Sequence, residues 1–193
     1  YLIMLAVAER IAAAPDDESR LFMAKQVGDE SRHVRIQQEW ISLFGSDTTP
    51  VFDDVQQARF LRHFRELSWI DFLTDMYVCV EALGSEAVEQ VVPMADPGTR
   101  ESLKTPLEDE MDHVAFGLGQ LQIALAKLPY AERSAYITSI AARLDFLDDT
   151  LHGMGIDVAA MFNAVGADYQ KVVQTVLQRR EQILDFLAQP MAA

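Results

Sequence analysis

The 193-residue sequence has one cysteine, few basic residues and no long apolar run. The single cysteine, Cys79, excludes an internal disulfide framework and zinc sites built on paired cysteines. No uninterrupted apolar stretch approaches the roughly 20 residues that a membrane-spanning helix needs. Sixteen basic against thirty acidic residues give a formal net charge of -14, which disfavours nucleic acid and anionic membranes as partners. We therefore expect a reduced, acidic, cytoplasmic protein.

Helix-forming residues make up most of the chain. Nine glycines and seven prolines fall mostly between long segments rich in Ala, Leu, Glu, Gln and Arg. The length suggests a single domain over residues 1–193. We predict an all-α fold, a four-helix bundle core over about residues 1–127 with additional helices over about 130–188. The predicted helices cover about residues 1–13, 16–45, 54–67, 68–92, 97–127, 130–152 and 158–187.

Two positions complicate this map. The chain begins at Tyr1 inside an apolar helical segment, so we expect that its true N-terminus is missing. Thr105-Pro106-Leu107-Glu108 is typical of a new helix start with a capping box. The alternative is one helix from Pro97 onward that is kinked at Pro106, at a cost of about 3 kcal/mol unless packing compensates. We prefer the kinked helix because the register of the candidate site below requires it.

Two of the four histidines lie in the same short pattern. Asp29-Glu30-Ser31-Arg32-His33 and Asp109-Glu110-Met111-Asp112-His113 both read Asp-Glu-x-x-His. Residues three apart on a helix project from one face, so the Glu and the His of each motif can bind one ion together. Both motifs lie deep inside predicted long helices. The duplication therefore predicts a site for two metal ions inside a helical bundle.

Glu81 is the candidate for a further carboxylate ligand. It lies between apolar residues, where a carboxylate is costly unless it is paired. Glu81 lies about 12 residues before the Pro93–Pro97 turn, and Glu110 lies 13 residues after Pro97. At about 1.5 Å of rise per residue, two antiparallel helices joined by this turn bring the two carboxylates level. The predicted metal ligands are Glu30, His33, Glu81, Glu110 and His113.

The first helix offers no carboxylate at the matching level. Glu30 lies 15 residues beyond Pro15, so its partner is expected near position 0 to 2, where Tyr1 and Leu2 stand. Glu9 is about 8 residues too close to the turn, or about 12 Å by helical rise. We therefore expect the sixth ligand immediately upstream of Tyr1, and we expect Glu9 either beside the ligands without binding metal or on the surface.

Four further residues are assigned to the surroundings of the metals. A metal-bound histidine normally donates its other N–H to a carboxylate or carbonyl, so Asp29 and Asp109 are expected to orient the histidine of the opposite motif. Tyr77 is a candidate to hydrogen-bond a ligand or relay an electron, and Ser85 to move protons near bound oxygen. Core packing is the alternative for both. The candidate catalytic residues are Glu30, Glu81, Glu110, Tyr77 and Ser85.

With these motifs the chain resembles the ferritin-like di-iron carboxylate superfamily over about residues 1–127. The stretches 21–33 and 109–117 look more like its oxygen-activating members. These include ribonucleotide-reductase small-subunit-like oxidases and monooxygenases of the phenylacetyl-CoA epoxidase type. The absent first-helix glutamate is a departure from the family pattern.

The resemblance implies two iron ions, or a manganese–iron pair, that bind and reduce O₂. Carboxylate and imidazole ligands suit iron and manganese. Glu30 and Glu110 would be bridging or terminal carboxylates, and Glu81 a terminal carboxylate that can shift. His33 and His113 would supply one imidazole per metal.

Three functions fit this pattern. The first is a di-iron or Mn/Fe oxidase or monooxygenase that oxidises a small organic substrate in an apolar pocket, with a reductase or ferredoxin as electron donor and a homodimer as its assembly. The second is a ferroxidase or iron-storage protein, which the extra helices and the loop at residues 45–50 disfavour. The third is a helical scaffold without metal, which the missing glutamate favours.

Overall fold

The computed structural model describes residues 1–45, 52–153 and 157–189, without the side chains of 144–153. All regular structure in these ranges is helical, which confirms the all-α class. The predicted loop at residues 45–50 lies almost wholly outside the described residues. Within the described ranges, the α-helices are α1 (Leu2–Arg10), α2 (Asp17–Leu43), α3 (Asp54–Glu66), α4 (Trp69–Leu73), α5 (Leu83–Glu89), α6 (Pro97–Ala126), α7 (Tyr130–Gly153), α8 (Val158–Ala164) and α9 (Tyr169–Ala188).

The chain forms two compact units. The first comprises Tyr1–Trp69 and Asp96–Asp109, and the second comprises Ile70–Ala95 and Glu110–Ala193. The long helix α6 contributes its first part to the first unit and its remainder to the second.

In the first unit, α1 packs against α2 and α3. Val7, Met23 and Phe64 are completely buried there. The N-terminus of α2 is capped by Asp16, whose carboxylate accepts a hydrogen bond of 2.8 Å from the backbone N–H of Ser19. This cap satisfies one of the amides that a helix start leaves without an intrahelical partner.

Helix α6 runs without interruption through Pro106, as the register of the candidate site predicted. A proline lacks the N–H that would bond the carbonyl four residues earlier, here that of Ser102. The side-chain amide of Gln37 on α2 donates to the Ser102 carbonyl oxygen at 3.0 Å. The hydrogen bond lost within α6 is thus replaced by one between two helices of the same unit, which explains how the proline is accommodated.

In the second unit, the segment from α4 to α5 packs with α7 and α9 around an apolar core. The chain between α4 and α5 is a π-helical segment, Thr74–Ala82, in place of the regular α-helix that the sequence predicted. The completely buried apolar side chains of this unit include Phe72, Leu73, Met76, Tyr77, Leu121, Leu125, Ile140 and Leu187.

The predicted single helix over residues 158–187 is wrong, because α8 and α9 are separate helices. Gly166 between them has a φ of 84°, a left-handed conformation that favours glycine. Asp168 then caps α9 by accepting a hydrogen bond from the backbone N–H of Gln170. Across the described residues, no helix has both the length and the apolar character that crossing a bilayer requires.

Candidate metal centre

Glu81, Glu110 and His113 lie together inside the second unit. The Nδ1 atom of His113 is 3.4 Å from Glu110 Oε2 and 3.7 Å from Glu81 Oε2. One oxygen of each glutamate and one ring nitrogen of His113 all lie within 4.8 Å of one another. Glu81 and His113 are buried, and the side chain of Glu110 is 15% exposed. Two carboxylates and an imidazole therefore converge on one point within this unit.

This cluster binds a proton tightly when it holds no metal. Burial by itself lowers the pKa of His113, because it disfavours the charged imidazolium. The nearby carboxylates of Glu110 and Glu81 outweigh that effect and raise the pKa of His113 from 6.5 to about 10. At neutral pH the imidazole is therefore protonated, and a metal ion that binds it must displace this proton.

In the first unit, Glu30 and His33 show the same relation as Glu110 and His113. The Nδ1 atom of His33 is 3.6 Å from Glu30 Oε2, as the three-residue helical spacing predicts. Both side chains are buried. In each motif it is therefore the Nδ1 atom of the histidine that faces the glutamate.

The other nitrogen of His33 contacts the second motif. Its Nε2 atom is 2.8 Å from Oδ2 of Asp109, both residues being in the first unit. Burial opposes the ionisation of Asp109, but hydrogen bonds from His33 and Arg32 keep its pKa below the usual value. Since an ionised carboxylate can only accept, Nε2 of His33 is the donor. The expected hydrogen bond between one motif's aspartate and the other's histidine is thus present here.

Two exposed cations, Arg32 and Lys25, form ion pairs with the aspartates of the two motifs. The Nη2 atom of Arg32 is 2.5 Å from Asp109 Oδ2 and 3.2 Å from Asp29 Oδ1. The Nζ atom of Lys25 is 2.9 Å from Asp29 Oδ2. Asp29 therefore lies among cations of its own helix, and its predicted role in orienting a histidine stays a prediction.

Asp109 and Glu110 are consecutive residues of α6 and take part in different clusters. Asp109 bonds His33 in the first unit, and Glu110 contacts His113 in the second. Each cluster thus takes a carboxylate from the second motif.

The local structure around Glu81 differs from the prediction. Glu81 is the penultimate residue of the π-helical segment Thr74–Ala82. A π-helix has i→i+5 hydrogen bonds, and such segments occur frequently at functional sites. Tyr77 and Ser85 each lie four residues from Glu81, a spacing that shares one face in an α-helix but not through a π-helical segment. Their catalytic roles stay predictions.

Tyr77 is completely buried and packs closely against α6. Its ring makes edge-to-face contacts with Phe116 at 5.5 Å and with Phe72 at 6.0 Å between centroids. A Cβ atom at Gly117 would overlap Cβ and Cγ of Tyr77, so a glycine is needed at this crossing. The close approach brings the π-helical segment, and with it Glu81, next to the part of α6 that carries His113.

The remaining predicted positions lie as follows. Glu9 forms an ion pair with Arg65, with Oε1 to Nη2 at 2.8 Å, and so it is engaged outside the candidate ligand set. Ser85 is half-buried in α5.

One buried polar residue on the face of the first motif was not predicted. Gln26 is completely buried, four residues before Glu30 and seven before His33. This spacing places all three on one face of α2, and it was visible in the sequence. The polar contacts that α7 makes with the π-helical segment were also missed, because no local pattern reveals them.

The donor set of the second unit fits a divalent transition metal. Carboxylate oxygens and an imidazole nitrogen are ligands that suit iron and manganese. Cys79 adds no thiolate, because burial raises the pKa of its thiol far above neutrality. The buried position keeps bulk water from competing for the ligands, which strengthens their interaction with a cation.

No protein-family model, curated protein or solved structure matches this chain. The functional assignment therefore depends on the geometry of each unit and on the two sequence motifs.

Proposed function

We propose that this chain is a ferritin-like di-iron or Mn/Fe carboxylate oxidase or monooxygenase that acts on a small organic substrate. The observation that carries the proposal is the buried cluster of Glu81, Glu110 and His113, in which the second motif meets a third carboxylate. The proposal adds Glu30 and His33 of the first motif as the remaining ligands. It is supported by the duplicated Asp-Glu-x-x-His pattern and by the matching Nδ1-to-glutamate geometry of both motifs.

Each histidine would bind its metal through Nδ1. In the first motif, Nε2 of His33 already donates to Asp109, which leaves Nδ1 on the side of Glu30. In the second motif, Nδ1 of His113 faces both Glu81 and Glu110. The hydrogen bond to Asp109 fixes the tautomer and the ring orientation of His33.

The bound metal pair would supply the reduction of O₂ that drives oxidation of the substrate. The protein contributes the ligand charge, the hydrogen bonds that orient the ligands and the exclusion of water. Glu81 and His113 are 2% and 0% exposed, so the charges of this cluster act on one another with little solvent screening. In this proposal a reductase or ferredoxin supplies the electrons.

Metal binding by the protein tests the proposal directly. The purified protein is stripped of metal, titrated anaerobically with Fe(II), and the bound iron is measured per chain. We expect two ions per chain, and we expect the variant Glu81→Gln to lose high-affinity binding. Glu89→Gln, an exposed glutamate eight residues along the chain, is the matched control and should bind as the wild type does.

Oxygen consumption then separates the functions that share this ligand set. A monooxygenase or oxidase should consume O₂ faster with candidate acyl or aromatic substrates than with Fe(II) alone. Equal consumption with and without them would indicate iron handling instead. A wild type that binds no more iron than Glu81→Gln would contradict the metal centre and leave the scaffold function.

A further inference from the structure

Two residues of α7, Tyr136 and Arg143, contact the helical segment that carries the third carboxylate. The hydroxyl of Tyr136 donates to Asp71 Oδ1 at 2.9 Å and lies 2.9 Å from Thr74 Oγ1. The Nε atom of Arg143 is 2.6 Å from Asp75 Oδ1, and its Nη1 is 2.8 Å from Asp71 Oδ1. Because the two α7 residues are seven apart, they project from the same helical face. Together they bind three positions within about one turn of the facing helix.

These contacts involve a buried charge. Asp75 is only 3% exposed, and an ionised carboxylate at such a depth is costly unless a cation and hydrogen bonds compensate it. Arg143 supplies that cation at 2.6 Å. This ion pair restricts the position of Asp75, because a displacement of its carboxylate from Arg143 would leave two separated charges inside the unit.

The contacts lie where the helix changes type. Thr74 and Asp75 are the first two residues of the π-helical segment. The Thr74 hydroxyl also donates to the carbonyl oxygen of Ile70 at 2.9 Å, four residues earlier. A hydroxyl that takes this carbonyl competes with the regular α-helical amide bond. Tyr136 and Arg143 of α7 therefore contact the residues at which the π-helical segment begins.

The helix type determines where Glu81 points. Each residue of an α-helix advances by about 100°, so if the same residues were wound as an α-helix, the side chains that follow a π turn would rotate by about that angle. Glu81 follows the start of the segment by seven residues and has its Oε2 atom 3.7 Å from Nδ1 of His113. That contact depends on the segment keeping its π-helical register.

We propose that Tyr136 and Arg143 are positioning residues, which fix the start of the π-helical segment and thereby hold Glu81 beside His113. This inference rests on the proposed metal centre for its functional meaning. It gives a role to α7, which carries none of the predicted metal ligands.

The experiment compares Arg143→Gln, Arg143→Lys and Tyr136→Phe with a control on the same helix. Arg133 contacts the carbonyl oxygens of Leu187 and Gln189 in α9 and its C-cap, at 2.5 Å each. Arg133→Gln therefore removes hydrogen bonds between α7 and the end of α9, and these do not involve the π-helical segment. Hydrogen exchange of the amides of residues 74–82 is measured in the metal-free protein, and Fe(II) affinity is measured in all variants.

We expect Arg143→Gln to speed exchange over residues 74–82 and to weaken Fe(II) binding by about 10- to 100-fold, the range for residues that orient metal ligands. Arg143→Lys should restore part of both. Tyr136→Phe removes one hydroxyl and should give a smaller change in the same direction. It also tests the inference if Arg143→Gln does not fold. Arg133→Gln should leave exchange over residues 74–82 and Fe(II) affinity within about twofold of the wild type, since the residues it releases orient no ligand.

Unchanged exchange over residues 74–82 in both Arg143→Gln and Tyr136→Phe would overturn the inference. Equal losses of Fe(II) affinity in Arg143→Gln and Arg133→Gln would overturn it as well, because they would show general destabilisation. A wild type that binds no iron would contradict the proposed function, and the exchange measurement alone would then decide whether α7 holds the segment.

Discussion

His33 and Asp109 form a hydrogen bond of 2.8 Å between Nε2 and Oδ2, although 76 residues separate them in the sequence. The bond joins the histidine of the first Asp-Glu-x-x-His motif to the aspartate of the second. Nε2 of His33 is occupied by this hydrogen bond, so a metal ion would bind at Nδ1. The two motifs are therefore physically connected within the first unit, through the aspartate–histidine pairing that the sequence analysis expects.

We predict that Asp109→Asn weakens metal binding about 10- to 100-fold, because an amide neither carries the charge nor fixes the tautomer of His33 as a carboxylate does. Titration with Fe(II) or Mn(II) measures the change. Glu101→Gln, an exposed carboxylate on the same helix, is the control and should have no effect. Equal affinities for Asp109→Asn and the wild type would show that the bond does not serve a metal site.

The pKa of His113 predicts two opposite pH dependences. Because the metal must displace a proton from a group whose pKa is about 10, we expect Fe(II) or Mn(II) affinity to rise with pH below that value. The increase should be about tenfold per pH unit while this single proton dominates. Calorimetry in buffers of different protonation enthalpy measures the proton released. Binding without proton release at pH 7 would contradict this prediction.

The stability of the metal-free protein should change in the other direction. The pKa of His113 is raised on folding from 6.5 to about 10, so the stabilisation from its protonated form is complete below pH 6.5. It is lost as the pH rises toward 10. Urea unfolding at several pH values should show this decline in the wild type, and His113→Gln should lack this component of it.

Gly117 and Gly119 provide a matched pair of substitutions on α6. Gly117→Ala should lower the free energy of unfolding by about 1–3 kcal/mol, because the new methyl group overlaps Tyr77. Gly119 has nothing within 4 Å of the position of a Cβ atom. Gly119→Ala should therefore stabilise the protein by up to about 1 kcal/mol through helix propensity. Urea unfolding distinguishes the two, and equal effects would contradict the close packing at Gly117.

Gln37 and Pro106 should be energetically coupled. Gln37→Ala should cost about 1 kcal/mol in the wild type, because it removes the donor to the Ser102 carbonyl. In a Pro106→Ala background the amide of residue 106 can take that carbonyl, so the same change should cost less. A double-mutant cycle measured by urea unfolding gives the coupling energy directly. Strictly additive effects would mean that Gln37 does not compensate for the proline.

The parts of the molecule that were predicted correctly depend on helical periodicity and chain length. The three-residue spacing of Glu110 and His113 determines that they share a face. The distances of Glu81 and Glu110 from the turn between them determine their depth. The same register supported a continuous helix through Pro106, which the structure confirms. These relations involve residues of one helix, or of two helices joined by a single turn, so they can be predicted from the sequence.

The parts that were missed depend on distant contacts. Residues 74–82 contain no glycine or proline that would signal a departure from the α-helix. Their π-helical form accompanies contacts with Arg143 and Gly117, which no window of sequence brings together. The division between α8 and α9 depends on the conformation of Gly166, and a lone glycine inside a helical pattern is usually tolerated.

The π-helical segment also changes which mutations are informative. Its turns each take up more residues than those of an α-helix, so a single-residue deletion between Asp75 and Glu81 would leave enough chain to complete the helix in α-helical form. In most helices such a deletion misaligns everything that follows. In this chain, the helix after the segment can keep its register, and the deletion would act mainly on the side chains within the segment, among them the carboxylate of Glu81.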